Sequence, residues 1–184
     1  MEALLVVDVQ NEFSPQGRRP VPNHAQALER IRERVAEARD GKRPIAWIQH
    51  HNKPNESPAF IPGSWGAELA EGLGPRAGYG PERLFQKDVF GAFTGTELEK
   101  WLHDVGANEV LIVGFYAHMC VSTSAREASV RGFETSVDPE ATGARDLDDD
   151  LLGHQSADEV RRSALLQLKN MGVTIASPKK VGVY

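Results

Sequence analysis

Short, nearly unbroken apolar runs alternate along this chain with segments of helical period, and that alternation leaves few folds open to it. Residues 3–7 (ALLVV) and Glu109–Phe115 (EVLIVGF) are continuous apolar stretches, the mark of strands covered on both faces. Residues 44–49 (PIAWIQ), 84–87, 133–137 and 173–176 read as further strands. Between them, residues 24–40 place Leu28, Ile31, Val35 and Ala38 on one helical face, with Gly41 to end the helix. Thr96 and Glu99 are spaced as a capping box ahead of Trp101, Leu102 and Val105. Residues 120–131 form a third helical segment, stopped by Gly132. Ser156 and Glu159 form a second capping box ahead of Val160, Ala164, Leu168 and Met171. Strands alternating with helices predict an α/β protein with three α/β/α layers around a doubly wound, mainly parallel sheet of about six strands. At 184 residues, one domain covers 1–184.

Charge and cysteine usage exclude several classes. The net charge is −5, and the arginines of residues 30–43 are interleaved with Glu33, Glu37 and Asp40, so this stretch reads as a solvated helix face. No nucleic-acid partner is expected. A single cysteine rules out an internal disulfide and suits a reducing compartment. The first apolar run stops at Asp8, too short for a signal peptide or a membrane span, so the expected location is cytoplasmic, away from the membrane.

In a doubly wound sheet, ligands bind beyond the carboxyl ends of the strands. The residues there are Asp8, Gln10 and Asn11; His50 and His51; Lys87 and Asp88; and residues 116–120, ending in Cys120. A carboxylate, an amine and the one thiol thus end three different strands. A cysteine at a strand-to-helix turn sits near a helix N-terminus, which favours the thiolate and lowers the thiol pKa. Each residue also has a plain structural reading: Cys120 as a small core residue, Asp8 as a turn former, Lys87 as a solvated lysine. Residues 52–81, rich in Gly and Pro without a sustained period, form a long loop of the kind that often serves a site.

The segments LLVVDVQNEF (4–13), FQKDVFGAFTGTELEKWL (85–102) and VLIVGFYAHMCVSTSAREASVRGFETSVDPEATGARD (110–146) together resemble the isochorismatase-like cysteine hydrolases. The resemblance covers nearly the whole chain. It implies a catalytic triad of Asp8, Lys87 and Cys120, with Asp8 as base and then acid, Lys87 stabilising the thiolate, and Cys120 forming a thioester. It further implies an oxyanion hole from the backbone N–H groups of Tyr116 and Cys120, and a cis peptide at Phe115–Tyr116. Relatives form dimers and tetramers, so a homodimer or homotetramer is expected. The metal-binding nicotinamidase branch carries Asp-x-His after the second strand. Here that stretch is Gln49-His50-His51, and Phe60 stands where a later histidine ligand would be. No metal and no cofactor are therefore expected, and His50 is read as a hydrogen-bonding pocket residue. Phe13, Trp65, Phe93, Tyr116 and His118 are the other pocket candidates, suited to a small planar or apolar amide. No basic cluster for a dicarboxylate is evident near the motifs. Hydrolysis of a small amide leads; an enol-ether hydrolase that needs no thiol, or a non-catalytic thiol sensor, would be the alternatives.

Overall fold

The computed structural model describes residues 1–176. Strands β1 (Glu2–Val7), β2 (Ile45–His50), β3 (Glu82–Lys87), β4 (Glu109–Phe115), β5 (Glu134–Gly143) and β8 (Thr174–Ile175) form one sheet in the order β3-β2-β1-β4-β5-β8. Every pairing in it is parallel. The alternation of side chains along β1 sends Leu4 and Val6 to one face and Ala3, Leu5 and Val7 to the other. Helix α1 (His24–Asp40) covers the first face with Ala27, Ile31, Val35 and Ala38. Helices α2 (Leu98–Asp104), α3 (Ser122–Val130) and α4 (Ala157–Asn170) cover the second with Trp101, Leu102, Ala125, Ala128 and Leu168. The three layers match the sequence expectation.

Local chemistry departs from that expectation in several places. Ser156 and Glu159 form the predicted capping box. Thr96 and Glu99 do not: Glu99 is drawn to Arg131 at 3.1 Å, the N-cap residue Glu97 makes no capping bond, and the Thr96 hydroxyl accepts only from the Leu98 N–H at 3.3 Å. The arginine stretch is not wholly solvated. Arg34 is buried against Asp138 at 2.6 Å, and Arg39 against Glu82 at 2.8 Å. Glu82 also accepts from Trp47 Nε1 at 2.9 Å, so one carboxylate ties α1 and β2 to the start of β3. Burial opposes ionisation of Glu82, but Arg39 and then Trp47 outweigh it and hold its pKa low. A small antiparallel hairpin, β6 (Leu147–Asp149) with β7 (Gly153–Gln155), was not foreseen.

β1 lies between β2 and β4, so the chain winds one way from β1 through β2 to β3 and the other way through β4 and β5. The topological switch point is therefore the crevice between the ends of β1 and β4. Gly114 makes their close approach possible. Its φ is +124°, and a Cβ there would stand 1.9 Å from the Val7 carbonyl oxygen, which is backbone and cannot yield. Gly114→Ala should lower unfolding free energy by about 3 kcal/mol or more, from left-handed strain and overpacking together. A fall in the urea midpoint at unchanged slope would show it; an unmoved midpoint would refute the steric argument.

Candidate active site

Three strand ends deliver the three reactive groups. Asp8 follows β1, Lys87 ends β3 and Cys120 follows β4. Neighbouring strands are about 4.8 Å apart, so a group on β3 must cross roughly twice that to reach β1. Lysine has the reach. Its stem crosses the end of β2, where His50 is its register partner, and its ammonium has no exposed side-chain surface. Lys87 Nζ lies 2.8 Å from Asp8 Oδ2, 3.0 Å from the Val89 carbonyl, 3.3 Å from His50 Nδ1 and 3.4 Å from Cys120 Sγ. Three N–H bonds thus serve four acceptors.

His50 is fixed from the other side. Its Nε2 faces Asn52 Oδ1 at 2.8 Å, an oxygen that can only accept, so the ring proton belongs on Nε2 and Nδ1 accepts from Lys87. Gln10 holds the end of β2 in place by accepting from the His50 N–H at 2.9 Å and donating to the His50 carbonyl at 2.9 Å. Asp8 has φ +52°, the left-handed region that Asp tolerates better than most residues. Its Oδ1 is buried and has no hydrogen-bond partner among the described residues. One carboxylate oxygen is therefore bound to Lys87 while the other is a vacant acceptor.

Cys120 lies within a π-helical turn, Ala117–Val121, ahead of α3. The N–H groups of Met119 and Val121 both reach the Tyr116 carbonyl at 3.1 Å. The Phe115–Tyr116 peptide is cis, as the resemblance implied. The expected low thiol pKa is corrected. Burial pushes the Cys120 pKa well up and the Asp8 charge adds to this, while Lys87 only partly opposes them. Lys87 shifts upward too: burial works against its charge, but Asp8 and then Cys120 outweigh it. Burial and the Asp8 carboxylate thus favour the protonated thiol beside the Lys87–Asp8 salt bridge.

A cavity of about 310 Å³ opens above the thiol. Phe13, Phe60 and Tyr116 form its aromatic wall, with Phe13 centred 5.2 Å from Phe60 and 4.8 Å from Tyr116. His50 lines it as expected. Three pocket candidates do not. Trp65 is 53 % exposed on a short 3₁₀ turn, because only the first part of the 52–81 loop folds over the cavity. Phe93 is 4 % exposed and packs on Phe133 in the core. His118 packs beside Tyr116, with ring centroids 5.1 Å apart, but lines a separate cavity with Ser122, Gln155 and residues of α4. Burial first, and then the charge of Arg145, lower its pKa to about 4, so its imidazole is neutral.

Sequence reasoning missed Phe60, Asn52, Arg19 and Arg145 as lining residues. Arg145 was within reach of the rule that sites follow strand ends. The strand was read as residues 133–137, whereas β5 continues to Gly143 and Arg145 lies two residues beyond its end. No signal in the sequence marked Arg19.

The metal pattern of the nicotinamidase branch does not fit these residues. Both nitrogens of His50 are engaged, Gln49 donates to the Ala67 carbonyl at 2.8 Å, and the non-ligating ring of Phe60 packs edge-on against His50 at 5.4 Å. Among the described residues no group of three His, Cys, Asp or Glu side chains converges to hold an ion. None of the described helices is long and apolar enough to cross a membrane.

Comparison with known proteins gives a consistent picture. The isochorismatase domain model matches residues 2–177. A secreted isochorismatase effector of Verticillium dahliae is 30 % identical over 178 residues, covering 97 % of this chain and 88 % of that protein. A nicotinamidase/pyrazinamidase of Mycobacterium tuberculosis is 31 % identical over 156 residues, covering 74 % of this chain and 83 % of that one. The crystal structure of an isochorismatase from Pseudomonas putida shares the fold, with a TM-score of 0.86, 24 % identity, and coverage of 95 % and 87 %.

The raised thiol pKa has a direct readout. Iodoacetamide alkylation of Cys120 should keep accelerating with pH past the ordinary thiol value of about 8.5. A rate that levels off near neutrality would mean a standing thiolate and overturn this protonation assignment.

Proposed function

The chain belongs to the isochorismatase family of hydrolases, and on that premise we propose that it cleaves a small-molecule amide through a thioester on Cys120. The observation that carries this reading is the Lys87 ammonium in contact with both the Asp8 carboxylate and the Cys120 sulfur. A metal-independent hydrolase needs a nucleophile, a base and a charge that stays fixed while a proton moves, and the three side chains supply these roles.

The vacant Asp8 Oδ1 takes the thiol proton as sulfur attacks the carbonyl carbon. Lys87 remains an ammonium throughout and balances the negative charge as it passes from carboxylate to sulfur and oxygen. The backbone N–H groups of Tyr116 and Cys120 receive the oxyanion. Collapse breaks the C–N bond, and the Asp8 carboxyl gives its proton to the departing amine. Asp8, again a carboxylate, then deprotonates a water that attacks the thioester. The acid product leaves and the proton returns to sulfur. His50 orients Lys87 and stays out of the proton path, since its Nδ1 lone pair faces an ammonium. The similarity to a nicotinamidase/pyrazinamidase supports an amide as substrate.

Cys120→Ala should reduce turnover of the best member of a small-amide panel by at least about 10³-fold, with the circular dichroism spectrum unchanged. Undiminished turnover by that variant would sink the thioester route. The extended similarity to an isochorismatase effector favours a second reading, enol-ether hydrolysis with Asp8 as the acid. Pyruvate release from isochorismate that survives Cys120→Ala would select it.

A further inference from the structure

Arg19 and Arg145 enter the same cavity from opposite ends of the sequence, and the proposed amide chemistry gives neither of them a role. Arg19 is held firmly. Its N–H donates to the Glu12 carbonyl at 2.9 Å, its carbonyl accepts from the Tyr116 hydroxyl at 2.8 Å, and its Nη2 donates to Ser57 Oγ at 3.2 Å. Arg145 is exposed at the rim, just past β5. Among the described residues neither guanidinium has a carboxylate within 4.0 Å, whereas Arg30, Arg34, Arg39 and Arg43 each do. Both act on one spot: their charges pull against the burial that raises the Tyr116 phenol to about 12.

The charge balance of the lining is therefore positive at the mouth. Asp8 is matched by Lys87, and the two arginines exceed the remaining acid, Glu56, by one positive charge; the Glu56 carboxylate is turned to the Lys53 N–H at 2.9 Å. A cationic mouth on a chain of net charge −5 is a local arrangement, not a reflection of overall composition. Guanidiniums present paired donors that match a carboxylate, and partial desolvation over an aromatic wall strengthens the contact.

We infer that the substrate carries a carboxylate, held by Arg19 and Arg145 at the mouth while its amide carbonyl sits over Cys120. This inference rests on the amidohydrolase reading for the group that reacts, but not for the charge that is bound. It replaces the expectation of a merely planar or apolar substrate, and it supplies the basic cluster that the motifs did not reveal.

Cys120 is the sole cysteine, so alkylation reads this site alone. Iodoacetate and iodoacetamide differ in one charged group. At a fixed pH, the iodoacetate-to-iodoacetamide rate ratio of the native protein should exceed that of the urea-unfolded protein by about tenfold. It should drop towards the unfolded value in the Arg19→Gln/Arg145→Gln double variant and in high salt. A native ratio equal to the unfolded one, or a ratio that the double variant leaves unchanged, overturns the inference. Calorimetry on Cys120→Ala provides a second measurement that does not depend on thiol reactivity. Succinamate should bind more tightly than the uncharged succinamide, and equal or undetectable binding of the two would count against the subsite. Failure of the two readings is distinguishable. Amide turnover through Cys120 with no charge preference removes the subsite alone; charge preference with turnover that survives Cys120→Ala removes the thioester route alone.

Discussion

Burying the Lys87 ammonium and the Asp8 carboxylate costs several kcal/mol for each ion, and the pair offsets that cost by staying in contact at 2.8 Å and by the further bonds the ammonium makes, while Asp8 Oδ1 is left without a partner. Losing either partner would leave an unpaired buried charge, a penalty of about 3–5 kcal/mol. Much of the surrounding structure meets this demand. The parallel register of β2 and β3 sets His50 beside Lys87, the Val89 carbonyl takes another N–H, and Gln10 locks the end of β2 to the turn after β1. The site is thus built on strand ends, and the 52–81 loop contributes its wall and, through Asn52, the partner that fixes His50.

The same demand explains where the backbone is unusual. Asp8 and Phe60 both have positive φ without being glycine, and both line the cavity. Strain of this kind persists where packing enforces it, commonly at functional sites. For Asp8 the twist coexists with one oxygen on Lys87 and one without a partner. For Phe60 it brings the ring between Phe13 and His50, with centroids 5.2 and 5.4 Å away. Gly114 answers a different constraint, the approach of β4 to the Val7 carbonyl at the switch point.

Features that depend on local pattern were legible in the sequence; features that depend on distant partners were not. The continuous apolar runs identified β1 and β4, and the spacing of Ile31, Val35 and Ala38 identified α1, because burial periodicity is written directly in the residues. The rule that sites follow strand ends found Asp8, Lys87 and Cys120, which the fold brings together. It failed for Arg145 because the strand was read as ending at residue 137, six residues short of the true end of β5. Trp65 and Phe93 were misplaced because an aromatic side chain carries no sign of whether its partner is core, cavity or solvent. Arg34 and Arg39 looked solvated because Asp138 and Glu82, which bury them, lie far away in sequence. The direction of the Cys120 pKa shift was inverted for a related reason: the helix dipole is readable from position, but the burial and the Asp8 charge that outweigh it come from folding.

That inversion bears on what the site can admit. A standing thiolate beside Asp8 would place a second negative charge at the cavity floor. With Asp8 and a thiolate facing the single Lys87 ammonium, the floor would carry a net negative charge, which works against an anionic ligand. With the thiol neutral, the buried charges of Lys87 and Asp8 balance, and the guanidiniums of Arg19 and Arg145 outnumber the Glu56 carboxylate along the lining. In the proposed thioester route the nucleophile then forms only as its proton passes to Asp8, when a carbonyl is already in place to take the charge. The raised thiol pKa and the cationic mouth are therefore two parts of one electrostatic arrangement. The first removes repulsion at the floor, and the second supplies attraction at the rim.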